Sequence, residues 1–162
     1  MSVGGPADRR TGRSDSPRPD DLPATGRLLA IDIGDKRIGL ALTDPLQTVA
    51  HPLATLTRRP GRRFPLKRLK EHLDAHRPTG IVVGLPLLPD GSEGERAGEA
   101  RATATRIANQ AGLPVVLWDE RMTTARALEA IRALGGGLRG RKKEIDQLAA
   151  TTLLQSYLDS RR

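Results

Sequence analysis

Two short apolar runs, residues 81–85 and residues 115–118, constrain the fold of this chain more than any other feature of its sequence. Runs of this length and hydrophobicity are typical of strands that are buried on both faces of a parallel sheet. A stretch with helical character precedes each run, at residues 64–76 and residues 92–111. Because parallel strands need a crossover of this kind, the pattern predicts two αβ units.

The part of the chain that precedes these units predicts antiparallel strands. Residues 28–33 and residues 38–43 are apolar runs joined by a Gly-Asp turn, which favours a β-hairpin. Residues 48–56 predict a third strand, weakened by Pro52, which cannot donate to a sheet ladder. The predicted fold class is therefore α/β, with a mixed five-stranded sheet of three antiparallel strands followed by two αβ units and with helices on both faces.

Helix-end signals delimit the remaining elements. Ser92, followed three residues later by Glu95, predicts a capping box at the start of the helix that ends before Gly112. Two more helices are predicted after the last strand, over residues 124–134 and residues 144–158.

Residues 1–26 have the composition of a disordered tail, because their glycine, proline, serine and charged residues leave too little apolar area to offset the ordering entropy. Four arginines balance four aspartates in this segment, so the formal net charge of +8 belongs to the domain predicted over residues 27–162. Such an excess of positive charge favours a polyanionic partner. The neutral tail is expected to be an inert extension rather than a basic arm.

Composition excludes several classes of protein. Aromatic residues make up 2% of the chain, which argues against RNA-binding folds that stack bases on aromatic side chains. The absence of cysteine excludes a thiolate nucleophile, a disulfide framework and a cysteine-ligated zinc site. Since the sequence has no apolar run long enough for a membrane span and no secretory signal, we expect a cytoplasmic protein without a membrane partner.

Three acidic residues occupy positions where a carboxylate needs a partner. Asp32 interrupts an apolar strand, Glu120 follows the last predicted strand, and Asp146 shares a helical stripe with apolar residues. An ion pair with Lys36 or Arg37 would explain Asp32 without any function. Glu120 could simply be one of the charged residues that commonly end buried strands. Asp146 could simply be favoured by the dipole of the helix in whose first turn it lies. Together, three inward carboxylates describe a site of oxygen ligands, which suits Mg²⁺ or Mn²⁺ and metal-assisted phosphodiester chemistry.

Basic and hydroxyl side chains near these acids are candidates for contacts with a phosphate backbone. Those after the last strand and in the glycine-rich loop before the last helix are Thr123, Thr124, Arg141, Lys142 and Lys143. The two threonines have a structural alternative as the N-cap of the next helix. A further basic cluster, within residues 58–70, has the character of a solvated face around the start of the first helix.

Four blocks of the sequence resemble the YqgF/RuvX family, relatives of the Holliday junction resolvase RuvC. They follow the family order over about residues 27–160, and they are AIDIGDKRIGLA at 30–41, IVVGLP at 81–86 with Asp90-Gly91, DERMTT at 119–124 and IDQLAA at 145–150. The resemblance implies a ribonuclease H-like fold. It places the family's acidic site on Asp32, Glu120 and Asp146, as catalytic residues and as metal ligands. The usual threonine or serine after the first glycine of the family is Asp35 here.

The resemblance also implies a function and its partners. We expect a metal-dependent nuclease that processes the 5′ end of pre-16S rRNA, with a ribosomal precursor particle as a further partner and a monomer or weak homodimer as its assembly. Lys36, Arg37 and Arg121 lie in the matched blocks and are expected to contact the substrate. Two alternatives stay open: a DNA nuclease that resolves four-way junctions, and a non-catalytic RNA-binding or ribosome-assembly factor. The residues do not separate RNA from DNA, since a contact to a 2′-hydroxyl leaves no motif.

Overall fold

The computed structural model of this chain describes residues 21–59, 61, 63–122 and 142–162. Its elements, in chain order, are strands β1 (Leu28–Ile33), β2 (Arg37–Thr43) and β3 (Ala50–Thr57), helix α1 (Leu66–His76), strand β4 (Gly80–Leu85), helix α2 (Glu95–Ala111), strand β5 (Val115–Asp119), a 3₁₀ turn (Glu120–Met122) and helix α3 (Lys142–Ser160). The helix predicted over residues 124–134 lies outside the described residues. None of the helices described here is long and apolar enough to cross a membrane.

The five strands of the described residues form one mixed sheet in the order β3-β2-β1-β4-β5. Strand β1 is antiparallel to β2 and parallel to β4, and β4 is parallel to β5. Asp32 lies opposite Gly39 of β2. On the other side of β1, Ile31 pairs with Val83, which brings Asp32 level with Gly84 of β4. The predicted mixed sheet is confirmed.

Alternation along the central strand β1 divides the core between the two faces of the sheet. Ala30 packs towards α3, where Tyr157 is fully buried. Leu29 and Ile31 pack on the opposite face, against α1 and α2. Helices therefore cover both faces, as predicted, and Asp32 lies on the α3 face because it alternates with Ala30.

Strand β3 begins two residues later than predicted. The backbone N–H groups of Thr48 and Val49 donate to the carboxylate of Asp44, at 2.8 and 2.9 Å, and this turn delays the strand. Pro52 lies within β3, which is an edge strand of the sheet and carries a β-bulge where it pairs with β2. A proline is tolerated at such a position because no second neighbour needs its N–H group.

The predicted capping box at Ser92 is wrong. The hydroxyl of Ser92 donates to the carboxylate of Asp90 at 2.6 Å, and its backbone N–H donates to the same oxygen at 2.9 Å. Ser92 therefore belongs to the preceding turn, and α2 begins at Glu95 after Gly94, without a side-chain cap. The predicted C-cap is confirmed, since Gly112 adopts the left-handed conformation with φ 64°.

The domain begins before residue 27. Leu22 is 3% exposed and packs in the core of the α3 face, and Nη2 of Arg161 donates to the carbonyl oxygen of Leu22 at 2.9 Å. Residues 21–26 therefore pack on the domain rather than forming part of the predicted disordered tail. Residues 1–20, the rest of that tail, lie outside the described residues.

Helix α3 begins at Lys142, two residues before the predicted start, so Asp146 lies in its second turn rather than its first. Gly39 allows this helix to approach β2 closely. A Cβ atom at position 39 would stand 2.1 Å from the carbonyl oxygen of Asp146 and 2.7 Å from the carbonyl carbon. The contact therefore requires glycine, and it places the start of α3 beside the end of β1.

Gly39→Ala is expected to destabilise the protein by about 1–3 kcal/mol, because the added methyl group would collide with the α3 backbone. Gly98 provides a matched control, since a Cβ atom there, within α2, would meet nothing within 4 Å. Gly98→Ala should leave stability unchanged or raise it by up to roughly 1 kcal/mol, because alanine is the better helix former. Urea denaturation measures both variants, and wild-type stability of Gly39→Ala would contradict the close packing.

Candidate active site

The candidate site lies where the carboxyl ends of β1, β4 and β5 meet, the edge at which ligands bind in parallel α/β sheets. Asp32 is the fifth residue of β1, and Glu120 begins the 3₁₀ turn that follows β5. The carboxyl group of Glu120 donates a hydrogen bond to the carboxylate of Asp32. The structure thus brings two of the predicted acids, from segments far apart in the chain, into direct contact.

Gly84 makes room for this contact. Strand β4 lies between β1 and β5, and a Cβ atom on Gly84 would stand 2.6 Å from Oε1 of Glu120. A side chain at this position would therefore push the glutamate away from Asp32. The glycine belongs to the site as much as the acids do.

Burial and mutual repulsion raise the pKa values of both carboxyl groups. The pKa of Glu120 rises from its ordinary 4.5 to about 8, first because the group is buried and second because the charge of Asp32 lies beside it. Burial is also the main cause of the raised pKa of Asp32; the hydrogen bond from Glu120 opposes this rise, and the charge of Asp146 adds to it. The pair therefore holds one proton between its two carboxyl groups near neutral pH.

Asp146 is held by Arg37. Nε of Arg37 donates to Oδ2 of Asp146 at 2.6 Å, with 28% and 24% of the two side chains exposed. Within the described residues, neither Lys36 nor Arg37 forms an ion pair with Asp32, so the purely structural explanation of that aspartate does not hold. In the same residues no three histidine, aspartate or glutamate side chains converge on one ion position.

The carboxyl pair nevertheless fits a divalent cation. Carboxylate oxygens are the ligands that Mg²⁺ and Mn²⁺ prefer in proteins. A cation between Asp32 and Glu120 would also remove the repulsion that raises their pKa values. Asp146 can supply a third carboxylate, since the contact from Arg37 engages one of its two oxygens, Oδ2.

Arg96 is a cation of the site that the sequence pattern did not identify. It lies in the first turn of α2, and its positive charge lowers the pKa of both Asp32 and Glu120. Its guanidinium also stands 3.9 Å from the exposed carboxylate of Asp35, in the turn between β1 and β2. The available signal was its position, since a basic residue in the first turn of a helix opposes the helix dipole.

The predicted substrate contacts fall into three groups. Arg37 and Arg121 are engaged by acids: the guanidinium of Arg121 donates to Oδ2 of Asp119 at 2.9 Å and to Oδ1 at 3.2 Å. Lys36 and Lys143 are exposed, in the turn after β1 and at the start of α3. The third group, outside what the structure describes, comprises Thr123, Thr124, Arg141 and the side chain of Lys142.

Known proteins similar to this chain share most of its length. The family model described as "RuvX: Holliday junction resolvase" matches residues 26–160. A relative from Lachnospira eligens is 38% identical over 138 residues, which cover 84% of this chain and 99% of the relative. A relative from Streptomyces avermitilis is 43% identical over 140 residues, which cover 85% of this chain and 88% of the relative. Both relatives carry the name "Putative pre-16S rRNA nuclease".

Two solved structures of RuvC share the fold. The structure of T. thermophilus RuvC in complex with a Holliday junction substrate has a TM-score of 0.54 and 20% identity, and the match covers 84% of this chain and 96% of that one. A second structure of Thermus thermophilus RuvC has a TM-score of 0.52 and 19% identity, with 83% and 96% covered. This likeness confirms the predicted ribonuclease H-like fold.

Because Asp32 and Glu120 share a proton in the folded state, we expect the protein in EDTA to lose stability as the pH rises. A carboxyl group whose pKa is higher in the folded than in the unfolded state binds more protons when folded, so stability falls between the two pKa values. For Glu120 this interval extends from 4.5 to about 8. The melting temperature in EDTA should therefore be higher at about pH 5.5 than at about pH 8.5.

Glu120→Gln tests the origin of this pH dependence. Glutamine retains a hydrogen-bond donor for Asp32 but does not titrate, so the melting temperature of the variant should vary less over the same pH range. Glu99→Gln, at an exposed position of α2, is the matched control and should keep the wild-type profile. A wild-type profile in Glu120→Gln would show that the proton is not held by this pair.

Proposed function

The chain belongs to the RuvX family, and from that premise we propose that it is a nuclease, a hydrolase that cleaves phosphodiester bonds in the precursor of 16S rRNA. The names of its relatives support this substrate. The observation that carries the proposal is the half-buried, hydrogen-bonded Asp32–Glu120 pair at the carboxyl edge of the sheet. Burial and mutual repulsion oppose full ionisation of these two carboxyl groups in the folded protein, so their juxtaposition at a ligand-binding edge is explained by chemistry rather than by stability.

Positively charged side chains near the Asp32–Glu120 pair favour a negatively charged substrate. Arg96 lies beside the turn that follows β1, where it is paired with Asp35, and the exposed Lys36 lies in the same turn. A phosphodiester that approaches this edge is attracted by both side chains. Arg37 holds the carboxylate of Asp146, and a phosphate that took the place of this carboxylate on Arg37 would free Asp146 to turn towards Asp32.

We further propose that Asp32 and Glu120 hold Mg²⁺ or Mn²⁺, and that Asp146 joins them as a third ligand. When bound, such a cation stabilises the charge that develops on the phosphodiester oxygens during displacement. The chain's own contribution is to release the proton of the pair, since both carboxyl groups must be ionised to act as ligands. The raised pKa of Glu120 makes this release dependent on pH.

The family also suggests two other functions. Its description and the RuvC structures support a four-way DNA junction as an alternative substrate. A non-catalytic RNA-binding factor in ribosome assembly would share the same partners, pre-rRNA and a ribosomal precursor particle. The intact acidic pair favours the enzyme over this factor. A cytoplasmic location and a monomer or weak homodimer complete the proposal.

Cleavage of a transcript that contains the 5′ region of pre-16S rRNA should require Mg²⁺ or Mn²⁺ and should stop in EDTA. Asp32→Asn should abolish cleavage, yet melt in EDTA at the wild-type temperature or above, because the substitution removes a half-buried carboxylate whose charged form is disfavoured in the folded protein. Divalent metal should raise the melting temperature of the wild type much more than that of the variant. Asp74→Asn, at an exposed position of α1, is the matched control and should cleave like the wild type.

A four-way DNA junction in the same assay separates the substrates. Cleavage of the junction without cleavage of the transcript would replace RNA with DNA as the substrate. Wild-type cleavage by Asp32→Asn, or cleavage that persists after exhaustive chelation, would refute the proposed acidic site.

A further inference from the structure

A pocket of about 430 Å³ opens where β3 ends and α1 begins, and its lining is mostly arginine. The residues that line it are Thr57, Arg58, Arg59, Arg63, Pro65 and Arg68. We propose that this pocket binds phosphate groups of the substrate backbone away from the bond that is cleaved. The inference rests on the proposed nuclease function and adds a second surface that contacts nucleic acid.

The four arginines of this pocket form no ion pair with a carboxylate in the described part of the chain. The arginines that do form ion pairs there are Arg37, Arg96, Arg101 and Arg121. In the pocket, Arg59, Arg63 and Arg68 are exposed and Arg58 is half-buried. Four like charges around one concavity repel one another, and an anion that enters the pocket relieves this repulsion.

Arg58 connects the pocket with the turn that follows Asp32. Its backbone N–H donates to the carbonyl oxygen of Lys36 at 2.8 Å, and its guanidinium reaches another carbonyl oxygen of the same turn at 3.5 Å. Thr57, the last residue of β3, pairs with Arg37, the first residue of β2. The end of β3, which opens into the pocket, therefore lies at the same edge of the sheet as the end of β1, two strands or roughly 10 Å away at the usual strand spacing, while α1 adds the pocket's other wall from the face opposite Asp32.

The chemistry of the lining favours the sugar–phosphate backbone over the bases. A guanidinium group can bind a phosphate through two parallel hydrogen bonds. The aromatic residue nearest in sequence, Phe64, is 5% exposed and packs in the core, so it cannot stack on a base. The amino end of α1 begins after Pro65 with no acid in its first turn, so the helix dipole adds to the positive potential.

A solvated face would not bring these side chains together around one pocket. The charge run at residues 58–70 predicted such a face, with its basic side chains spread over the surface. In the structure Lys67 and Lys70 do not line the pocket, whereas three arginines from the loop after β3 and one from α1 do. A concave, acid-free cluster on the edge that carries the acidic pair is suited to a chain of phosphates.

Binding measured in EDTA separates this contact from cleavage. The full chain is titrated into a short fluorescein-labelled single-stranded RNA, and into duplex DNA of the same length, at several salt concentrations. The pocket variant combines Arg59→Gln, Arg63→Gln and Arg68→Gln, and it leaves Arg58 with its backbone contacts. The control variant combines Arg27→Gln, Arg77→Gln and Arg106→Gln, which remove equal charge near the opposite edge of the sheet. Thermal melts establish that both variants fold.

For the RNA, the plot of log affinity against log salt should be up to about two units shallower in the pocket variant than in the wild type, since each phosphate contact contributes about 0.7. The control variant should keep the wild-type slope. Lysine at the same three pocket positions should restore the slope but not the full affinity, because lysine keeps the charge without the paired hydrogen bonds. A loss confined to RNA or to DNA identifies which backbone the pocket accepts.

Equal slopes for the pocket and control variants, or no binding by the wild type, would overturn the assignment. The proposed nuclease function fails by a different result, namely that the wild type cleaves neither the transcript nor the junction with Mg²⁺ or Mn²⁺. The two failures are therefore distinguishable, because one is read from binding in EDTA and the other from cleavage.

Discussion

The hydrogen bond between Glu120 and Asp32 reaches across a whole strand, and the geometry that permits it shapes the rest of the site. Strand β4 lies between β1 and β5, and it carries Gly84 at the level of Asp32. With no side chain at that point, Glu120 extends over β4 and meets its partner. The two half-buried carboxyl groups then lie side by side, and the fold tolerates their repulsion because they share a proton and because Arg96 lies near both.

A second glycine contact completes the arrangement. The backbone of α3 rests against Gly39, which faces Asp32 across the β1–β2 pair, and so Asp146 is carried to the rim of the site. Arg37 then holds Asp146 by an ion pair, and the negative charge of Asp146 still acts on Asp32. Asp32 is thus close enough to both other acids to be influenced by them, yet Glu120 carries a proton and Asp146 is paired with an arginine. This arrangement of acidic and basic groups suits a site that binds a cation and a phosphate.

Periodicity predicted most of the fold, because buried strands and amphipathic helices follow from the spacing of apolar residues along the chain. Asp32 was identifiable for the same reason, as a charge inside an apolar strand. The spacing of residues along the chain did not predict which partner a polar side chain would bond to. Arg37 pairs with Asp146, which is 109 residues away, and Ser92 bonds to Asp90 instead of capping α2. The arginines near the start of α1 illustrate the same limit. Their positive charge is evident from the sequence, but their convergence on one pocket depends on the fold.

Calorimetric titration of the full chain with Mg²⁺, in buffers of different ionisation enthalpy, tests most directly whether the Asp32–Glu120 pair is a metal site that holds a proton. At about pH 7 we expect roughly one proton to be released per ion bound, and the release should fall towards zero above about pH 9, where the pair is already ionised. Asp32→Asn should lose both the binding and the proton release. Binding of Mg²⁺ at about pH 7 without proton release, or binding that is unchanged in Asp32→Asn, would contradict this assignment.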